Sequence, residues 1–314
     1  MSQEMKPKGR FAPSPSGRMH LGNMMTALLS WLDAKSRGGT WLLRIEDLDP
    51  QRSKTEFAQL IEDDLRWLGL DWDEGGLDDL GSAGPYSQSL RHDIYTQYLS
   101  RLRQTGLTYP CHCRRTDIMA TQAPHQTDGR IVYAGTCRPS ARPPFPRIES
   151  DTPAATRIYV PDRVISFTDR IFGPQSVNLT EHCGDFVVER ADGARAYQLA
   201  VVIDDALMGV TDVIRGCDLL LSTAQQLYLY EILGLRAPRY GHVPLVCNAQ
   251  GLRLSKRDQS MSMEQLRRDL TPAQLTGILA HTAGLTPTPA PVAPHDLLDT
   301  FSLSRIAPTD SLVI

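Results

Sequence analysis

Across roughly the first ninety residues the apolar pattern alternates between the period of a strand and that of a helix, and this alternation restricts the chain more than any other feature. Gly9 to Pro13 reads as a short strand ended by a proline. Leu21, Met24, Met25, Leu28, Leu29 and Leu32 then recur at helical spacing until Gly38 and Gly39 stop the pattern. Trp41 to Ile45 is a short apolar run suited to a buried strand. Phe57, Leu60, Ile61, Leu65 and Leu68 form the stripe of a second helix, with Gly69 where a C-terminal cap would sit. The order β-α-β-α predicts an α/β fold of Rossmann type, a parallel sheet with helices on its faces and ligands at the carboxyl ends of the strands.

The pattern breaks between Gly106 and about Asp192, where clustered cysteines, a proline-rich run from Pro139 to Pro153 and short β-like segments (Arg157 to Val160, Val164 to Phe167, Asp185 to Val188) suggest an insertion. Asp192 and Gly193 form a plausible hairpin turn. Leu199 to Ile203 then reads as a central parallel strand, Leu219 to Leu233 as a helix closed by Gly234, and Val243 to Val246 as a further strand. One more helical pattern runs from Met263 to Leu279, and the proline-rich tail from Pro287 onward is expected to be loosely ordered. The expected division is a first catalytic half (1–105), an inserted domain (106–194), a second catalytic half (195–258) and a short helical and proline-rich tail (259–314). A chain of 314 residues, 41% hydrophobic, has the mass for such packed domains.

The first nine residues contain no apolar run of signal-peptide length, and no segment approaches the roughly 20 apolar residues that span a bilayer, so a cytoplasmic protein without a membrane partner is expected. A net charge of −3 argues against a general basic field for nucleic acid. A local basic face remains open, and Arg101 to Arg103, Arg114 with Arg115, and Arg138 to Arg147 are candidates for it. Six cysteines in such a chain read as metal ligands or buried small hydrophobes rather than a disulfide framework.

Two runs carry phosphate chemistry. RFAPSPSGRMHLGN, Arg10 to Asn23, joins a strand to a helix start, where unpaired amides and a partial positive charge receive phosphate oxygens. Gly22 lets a nucleotide ring approach the backbone there, Asn23 lies in the first helical turn, and His20 can donate to a phosphate whose charge grows during attack. RLSKR, Arg253 to Arg257, follows an apolar strand. Lys256 on a flexible loop can meet the leaving pyrophosphate, and Ser255 adds a hydroxyl. The chain contains neither a Walker A run nor a dinucleotide fingerprint.

Together these runs resemble the HIGH and KMSKS signatures of class I aminoacyl-tRNA synthetases, here HLGN and RLSKR at opposite ends of an interrupted α/β domain. RFAPSPSG, LRIEDLDPQRS, YQLAVVIDD and DVIRGCDLL resemble the glutamyl branch in order and spacing, over most of the chain up to Arg257. The resemblance implies a Rossmann catalytic core, ATP with Mg2+ as substrate, a glutamyl-adenylate intermediate and transfer to RNA. It further implies that Arg10, Phe11, Ala12, Pro13, Ser14, Glu46, Tyr197 and Arg215 contact L-glutamate, and that His20, Gly22, Asn23, Ser255 and Lys256 bind ATP. The residue types suit those roles: forked cations for carboxylates in Arg10 and Arg215, an anion for the ammonium in Glu46, and hydroxyls in Ser14 and Tyr197. His20 and Lys256 are the catalytic candidates.

Cys111 and Cys113 in CHC, with Cys137 ending YAGTC, supply three thiolates for a zinc site that needs a fourth ligand. On residue chemistry alone His112, His125 and Tyr133 are all candidates. The resemblance picks Tyr133 and implies one structural Zn2+ holding an RNA-receiving insertion. Cys183, Cys217 and Cys247 read as buried small hydrophobes.

Only 58 residues follow Lys256. No room is expected for the helical anticodon-binding portion of full-length glutamyl enzymes, and the chain resembles instead a compact stand-alone branch that activates glutamate without RNA and attaches it to queuosine in tRNA(Asp); a monomer is expected. Exposed bases of an anticodon loop can be splayed out and read by a single RNA surface. Two other readings stay open. One is a glutamyl-tRNA synthetase lacking its anticodon-binding domain, told apart by which tRNA is charged. The other is a catalytically silent RNA-binding paralogue, which the presence of His20, Ser255 and Lys256 opposes.

Overall fold

The computed structural model describes residues 6–114, 132–146, 152–248 and 261–313. β1 (Lys8–Phe11), α1 (Leu21–Lys35), β2 (Thr40–Leu43), α2 (Thr55–Leu68) and the two-residue β3 (Glu74–Gly75) follow the expected alternation, with β1 and β2 each ending two residues before the apolar run does. α3 (His92–Gln104), β4 (Thr108–Cys111), β5 (Ala155–Ile158), β6 (Val164–Asp169), β7 (Gly173–Asn178), the one-turn α4 (Leu179–His182) and β8 (Phe186–Glu189) come next. The chain continues through α5 (Tyr197–Leu207), β9 (Asp212–Gly216), α6 (Leu220–Leu233), β10 (Arg239–Val243), β11 (Leu245–Cys247), α7 (Met263–Asp269), α8 (Pro272–Thr282) and β12 (Ser311–Val313).

Five strands form one sheet in the order β10-β9-β1-β2-β3, with every neighbouring pair parallel. β1 therefore joins the two halves of the chain, pairing in register with β2 on one edge and through Gly9 with Asp212 of β9 on the other. From β1 the chain runs outward one way through β2 and β3 and the other way through β9 and β10. Such a reversal of strand order opens a crevice at the carboxyl ends. Alternation along the strands divides the core: Trp41 and Leu43 pack with α1, α2 and α8, whereas Leu42 joins Tyr86, Val213 and Tyr240. α2 and α6 end at Gly69 (φ 84°) and Gly234 (φ 65°), left-handed positions that glycine adopts without a Cβ clash.

The insertion contains a three-stranded antiparallel sheet, β4-β5-β8, and a separate β6–β7 hairpin. Its apolar side chains share a core with α3, α5 and α6. The turn at Asp192 and Gly193 is present, closed by the Arg190 amide on the Ala194 carbonyl. At its tip the β6–β7 hairpin is tied to the main sheet, since Arg170 donates its amide to the Tyr240 carbonyl and pairs with Asp33 and Asp212. Among the described residues no helix is long and apolar enough to cross a membrane.

Two expectations fail. Leu199 to Ile203 is not a strand but the middle of α5, and the strand of this region is β9. Residues 199–205 are all buried, so the helix shows no polar face, and an unbroken apolar run cannot distinguish a buried helix from a buried strand. The tail from Pro287 is not loose either: Leu297, Leu303 and Ile306 are buried, the His295 and Trp31 rings pack T-shaped with centroids 4.8 Å apart, and β12 pairs in parallel with β11. Composition reports what a segment can bury by itself, whereas these residues fill a surface that α1, α2 and α8 provide. The expected helix from Met263 is two helices broken at Pro272, and the strand at Val243 to Val246 is divided at Pro244 between β10 and β11.

Candidate active site

A cavity of about 330 Å3 lies at the carboxyl ends of β1, β9 and β10. Its walls include Arg10, Phe11, Ala12, Pro13 and Ser14 from β1 and its extension, and His20, Gly22 and Asn23 from the start of α1. Glu46 follows β2, Tyr197 opens α5 and Arg215 lies on β9. The structure thus brings together every expected glutamate and nucleotide contact within the described residues. Ser255 and Lys256 lie outside them. The described residues on either side of that segment also reach this place. Val246 lines the cavity, Ser262 bridges to His20, and the Met263 amide donates to the Met19 carbonyl at 3.0 Å.

The α1 start is locally determined. His20 is the N-cap: its Nδ1 accepts from the Gly22 amide at 3.1 Å, while Asn23 Oδ1 accepts from the His20 amide at 3.1 Å. A neutral imidazole accepting at Nδ1 carries its proton on Nε2, where it can be donated. A Cβ on Gly22 would stand 3.1 Å from His20 Cε1, so glycine leaves the ring its place.

Beneath the cavity floor lies a charged cluster. Arg44 is fully buried and meets Asp205 at 2.6 Å, Glu46 at 3.0 Å and Asp204 at 3.9 Å. Burial opposes ionisation of Asp205, but Arg44 and Arg10 hold its carboxyl below the usual range. Glu46 goes the other way: burial pushes its carboxyl up, against the pull of Arg44 and Arg10. Glu46 is therefore both a structural partner of Arg44 and a wall of the cavity. Arg10 spends only its Nε, on Asp205 at 3.4 Å; among the described residues its terminal nitrogens have no hydrogen-bond partner. Asp204 receives Arg91, Gln88 and Tyr95. Arg44, Asp204 and Asp205 are absent from the site expected on sequence, although two adjacent aspartates after an apolar run are a legible signal of buried charge.

Arg215 is held differently. Its Nε donates to His242 Nε2 at 3.0 Å, Nη1 to Gln226 at 2.7 Å and Nη2 to Thr223 at 2.9 Å, and it lies over the Tyr240 ring.

A second, larger cavity of about 1140 Å3 shares Ser14, Ser16, Glu46 and Tyr197 with the first and runs to the insertion. Arg52, Arg157, Arg190 and Arg195 line it, and none of them belongs to the expected basic stretches. Within those stretches Arg138 pairs with Asp185 and Arg103 with Glu189, and Arg101 stacks on Tyr98. Arg115 and Arg147 lie outside the described residues.

The cysteine site stands at the far end of this groove. The Sγ atoms of Cys111, Cys113 and Cys137 lie within 4.8 Å of one another, Cys113 and Cys137 at 3.5 Å. The Tyr133 hydroxyl is 3.5 Å from Cys111 and 3.7 Å from Cys113 and accepts the Cys137 amide at 2.7 Å. A tetrahedral zinc with bonds of about 2.3 Å to sulfur and about 2.0 Å to oxygen has S–S edges near 3.8 Å and S–O edges near 3.5 Å, so this donor set fits. Burial opposes ionisation of Cys137, but the His112 amide and the Tyr133 hydroxyl bring its thiol down to about 7. Arg157 donates to Cys111 Sγ at 3.2 Å and covers the Tyr133 ring at 3.7 Å. His125 lies outside the described residues. Cys247 is buried as expected, but Cys183 and Cys217 are only half-buried: Cys183 lines the groove and Cys217 donates to the Asp310 carbonyl.

Comparison with known proteins agrees with this geometry. The family of tRNA synthetases class I (E and Q), catalytic domain, matches residues 7–290. A glutamyl-Q tRNA(Asp) synthetase of Symbiobacterium thermophilum is 49% identical over 303 residues, covering 95% of this chain and 93% of that protein. One from Nitratidesulfovibrio vulgaris is 47% identical, covering 98% and 95%. The crystal structure of a glutamate tRNA ligase from Elizabethkingia meningosepticum in complex with its amino acid is similar with a TM-score of 0.82 at 31% identity, over 97% of this chain and 66% of that one.

Proposed function

The chain belongs to the class I tRNA synthetases of the E and Q type, and from that premise we propose that it activates L-glutamate with ATP, without RNA, and transfers the glutamyl group to queuosine at the wobble position of tRNA(Asp). The observation that carries this reading is the meeting of Arg10, Ser14, Glu46, Tyr197 and Arg215 with the capped start of α1 around one cavity at the switch of strand order.

Glutamate offers two carboxylates and one ammonium. The unpartnered end of Arg10 and the cavity-facing edge of Arg215 suit the carboxylates, with Arg215 at the side chain, and Glu46 suits the ammonium. A carboxylate oxygen then attacks the α-phosphate of ATP in line and pyrophosphate leaves. His20 Nε2–H, the α1 amides and Lys256 stabilise the charge that develops, and ATP arrives with its Mg2+. In the second step a hydroxyl of the queuosine cyclopentene ring attacks the glutamyl carbonyl and AMP leaves, so no covalent enzyme intermediate forms. The larger groove, continuous with the cavity and lined by arginines, receives the anticodon loop. Cys111, Cys113, Cys137 and Tyr133 would hold one Zn2+, whose chemistry here is to cross-link the insertion that walls that groove.

ATP–pyrophosphate exchange with glutamate and no RNA tests the first step. Lys256→Ala is expected to slow it roughly 10²–10³-fold, the usual cost of one preorganised donor, and an unchanged rate would remove Lys256 from the mechanism. Charging of queuosine-containing tRNA(Asp), unmodified tRNA(Asp) and tRNA(Glu) tests the second. Acceptance by tRNA(Glu) alone favours a glutamyl-tRNA synthetase, and no exchange at all favours a silent paralogue.

A further inference from the structure

Arg215 is one end of a buried chain of hydrogen bonds that the proposed reaction does not otherwise use. Arg215 on β9 donates Nε–H to His242 Nε2 on β10 at 3.0 Å, and His242 Nδ1 lies 2.6 Å from Asp169 Oδ2 at the end of β6, in the inserted hairpin. All three residues are at most 3% exposed. Arginine can only donate, so His242 Nε2 must accept and its single proton must sit on Nδ1, donated to Asp169. Asp169 is fixed in turn by three backbone amides: Ile171 and Phe172 at 2.9 Å and His242 at 3.2 Å, all on Oδ1. Its carboxyl, which burial alone would raise, is held below the usual range by His242 and these amides, while burial and Arg215 hold the His242 imidazole down in its neutral form.

The consequence is electrostatic as well as geometric. A carboxylate in the place of His242 would pair with Arg215 and cancel the charge it presents to the cavity. A neutral imidazole satisfies the Nε donor, fixes the guanidinium plane and leaves the charge without a directly paired anion, and the remaining partners, Gln226, Thr223 and the Leu219 carbonyl, are neutral too; the carboxylates of Asp218 and Glu46 line the same cavity without pairing with it. Among the described residues no carboxylate lies within 4.0 Å of the Arg215 guanidinium.

We propose that His242 and Asp169 are positioning residues that determine specificity for an anionic amino-acid side chain, by holding Arg215 in place through a neutral spacer so that its charge is spent on the substrate. This rests on the reading that Arg215 meets the substrate's side-chain carboxylate. A free amino acid with a carboxylate tail is then distinguished from its amide by Arg215, and the discrimination depends on β10 and the hairpin as much as on the arginine itself.

The test compares His242→Gln, His242→Leu, Asp169→Asn and Arg215→Leu in ATP–pyrophosphate exchange, with L-glutamate and L-glutamine as probes. The carboxamide introduced by His242→Gln can accept from Arg215 through its oxygen and donate to Asp169 through its nitrogen, so this variant should stay within about threefold of the parent. His242→Leu loses a hydrogen bond to a charged group and should raise KM for glutamate about tenfold or more, with KM for ATP unchanged and the preference for glutamate over glutamine reduced. Asp169→Asn has one acceptor oxygen where Asp169 uses two, so it loses the acceptor either for His242 Nδ1–H or for the three amides, and it should shift KM for glutamate in the same direction, which keeps the proposal testable if His242→Leu does not fold. An unchanged glutamate KM in a folded His242→Leu protein overturns the spacer role, as does an equal rise in KM for both amino acids and ATP, the pattern of a merely structural residue. If Arg215→Leu also leaves glutamate KM unchanged, the reading of Arg215 has failed; if only Arg215→Leu raises it, the failure belongs to His242 and Asp169 alone.

Discussion

Two buried arginines, Arg44 beneath the cavity floor and Arg215 in its wall, have opposite surroundings. Arg44 meets three carboxylates, from Glu46, Asp204 and Asp205. Arg215 meets an imidazole, an amide, a hydroxyl and a backbone carbonyl. A cation ringed by anions joins α5 to the end of β2, and its field stops there. A cation satisfied by neutral groups keeps its field: at about 4 Å and an effective dielectric constant near 20, a unit negative charge gains about 4 kcal/mol before desolvation. The difference separates a residue that assembles the cavity from one that acts across it, although burial and residue type are the same.

The comparison breaks most readily at Arg44. Arg44→Met leaves Asp205 and Glu46 buried without their main partner, and losing one member of a buried ion pair costs about 3–5 kcal/mol, so a large drop in urea midpoint is expected. A drop worth under about 1 kcal/mol would mean that the three carboxylates do not depend on Arg44. Arg215→Leu should do the reverse. It removes a buried cation that has no paired carboxylate, so the urea midpoint should move far less, while kcat/KM for glutamate falls about 10²–10³-fold, the scale of one preorganised charge contact in an active site. If Arg215→Leu unfolds the protein as readily as Arg44→Met does, the division into assembling and acting arginines is wrong.

The sequence places both arginines in recognisable runs but conceals most of what surrounds them, for a physical reason. Arg215 sits in DVIRGCDLL, a run specific enough to be recognised, but its burial disguises β9: a strand with a buried charge at its fourth position lacks the apolar continuity by which inner strands are read. Leu199 to Ile203 has that continuity and is a helix. Arg44 lies between apolar residues in LLRIE and, Glu46 apart, shows no sign of its partners, because Asp204 and Asp205 come from the far end of α5, about 160 positions along the chain. The same limit applies to His242 and Asp169, which neither motif nor spacing connects and which meet only through the pairing of β10 with β9 and the docking of the hairpin. Local signals serve well where structure is local. The Gly69 and Gly234 caps and the turn at Gly193 stand where the pattern puts them. The tail is misread from its composition because its order depends on a surface built elsewhere.

Glu46 belongs to both halves of the comparison, pairing with Arg44 and lining the cavity, so it gives the smallest and sharpest test. Burial raises its carboxyl above the ordinary 4.5 despite Arg44 and Arg10. The folded protein therefore holds this proton more tightly than the unfolded chain does. The sign follows: ionised Glu46 costs stability at neutral pH, and that cost is relieved as pH falls through the raised folded value. Glu46→Gln should accordingly leave the urea midpoint at pH 7 nearly unchanged or slightly higher, because the loss of a charge partner for Arg44 is offset by relief of the buried anion. Its KM for glutamate should rise about tenfold, since the ammonium loses a charged partner. Lowering the pH through the raised value should raise KM for glutamate in the parent by protonating Glu46. The substrate's own carboxylate titrates nearby, at about 4.3, and affects both proteins equally. A KM profile that rises with the same slope in the parent and in Glu46→Gln would assign the titration to the substrate and return Glu46 to the assembling set with Arg44.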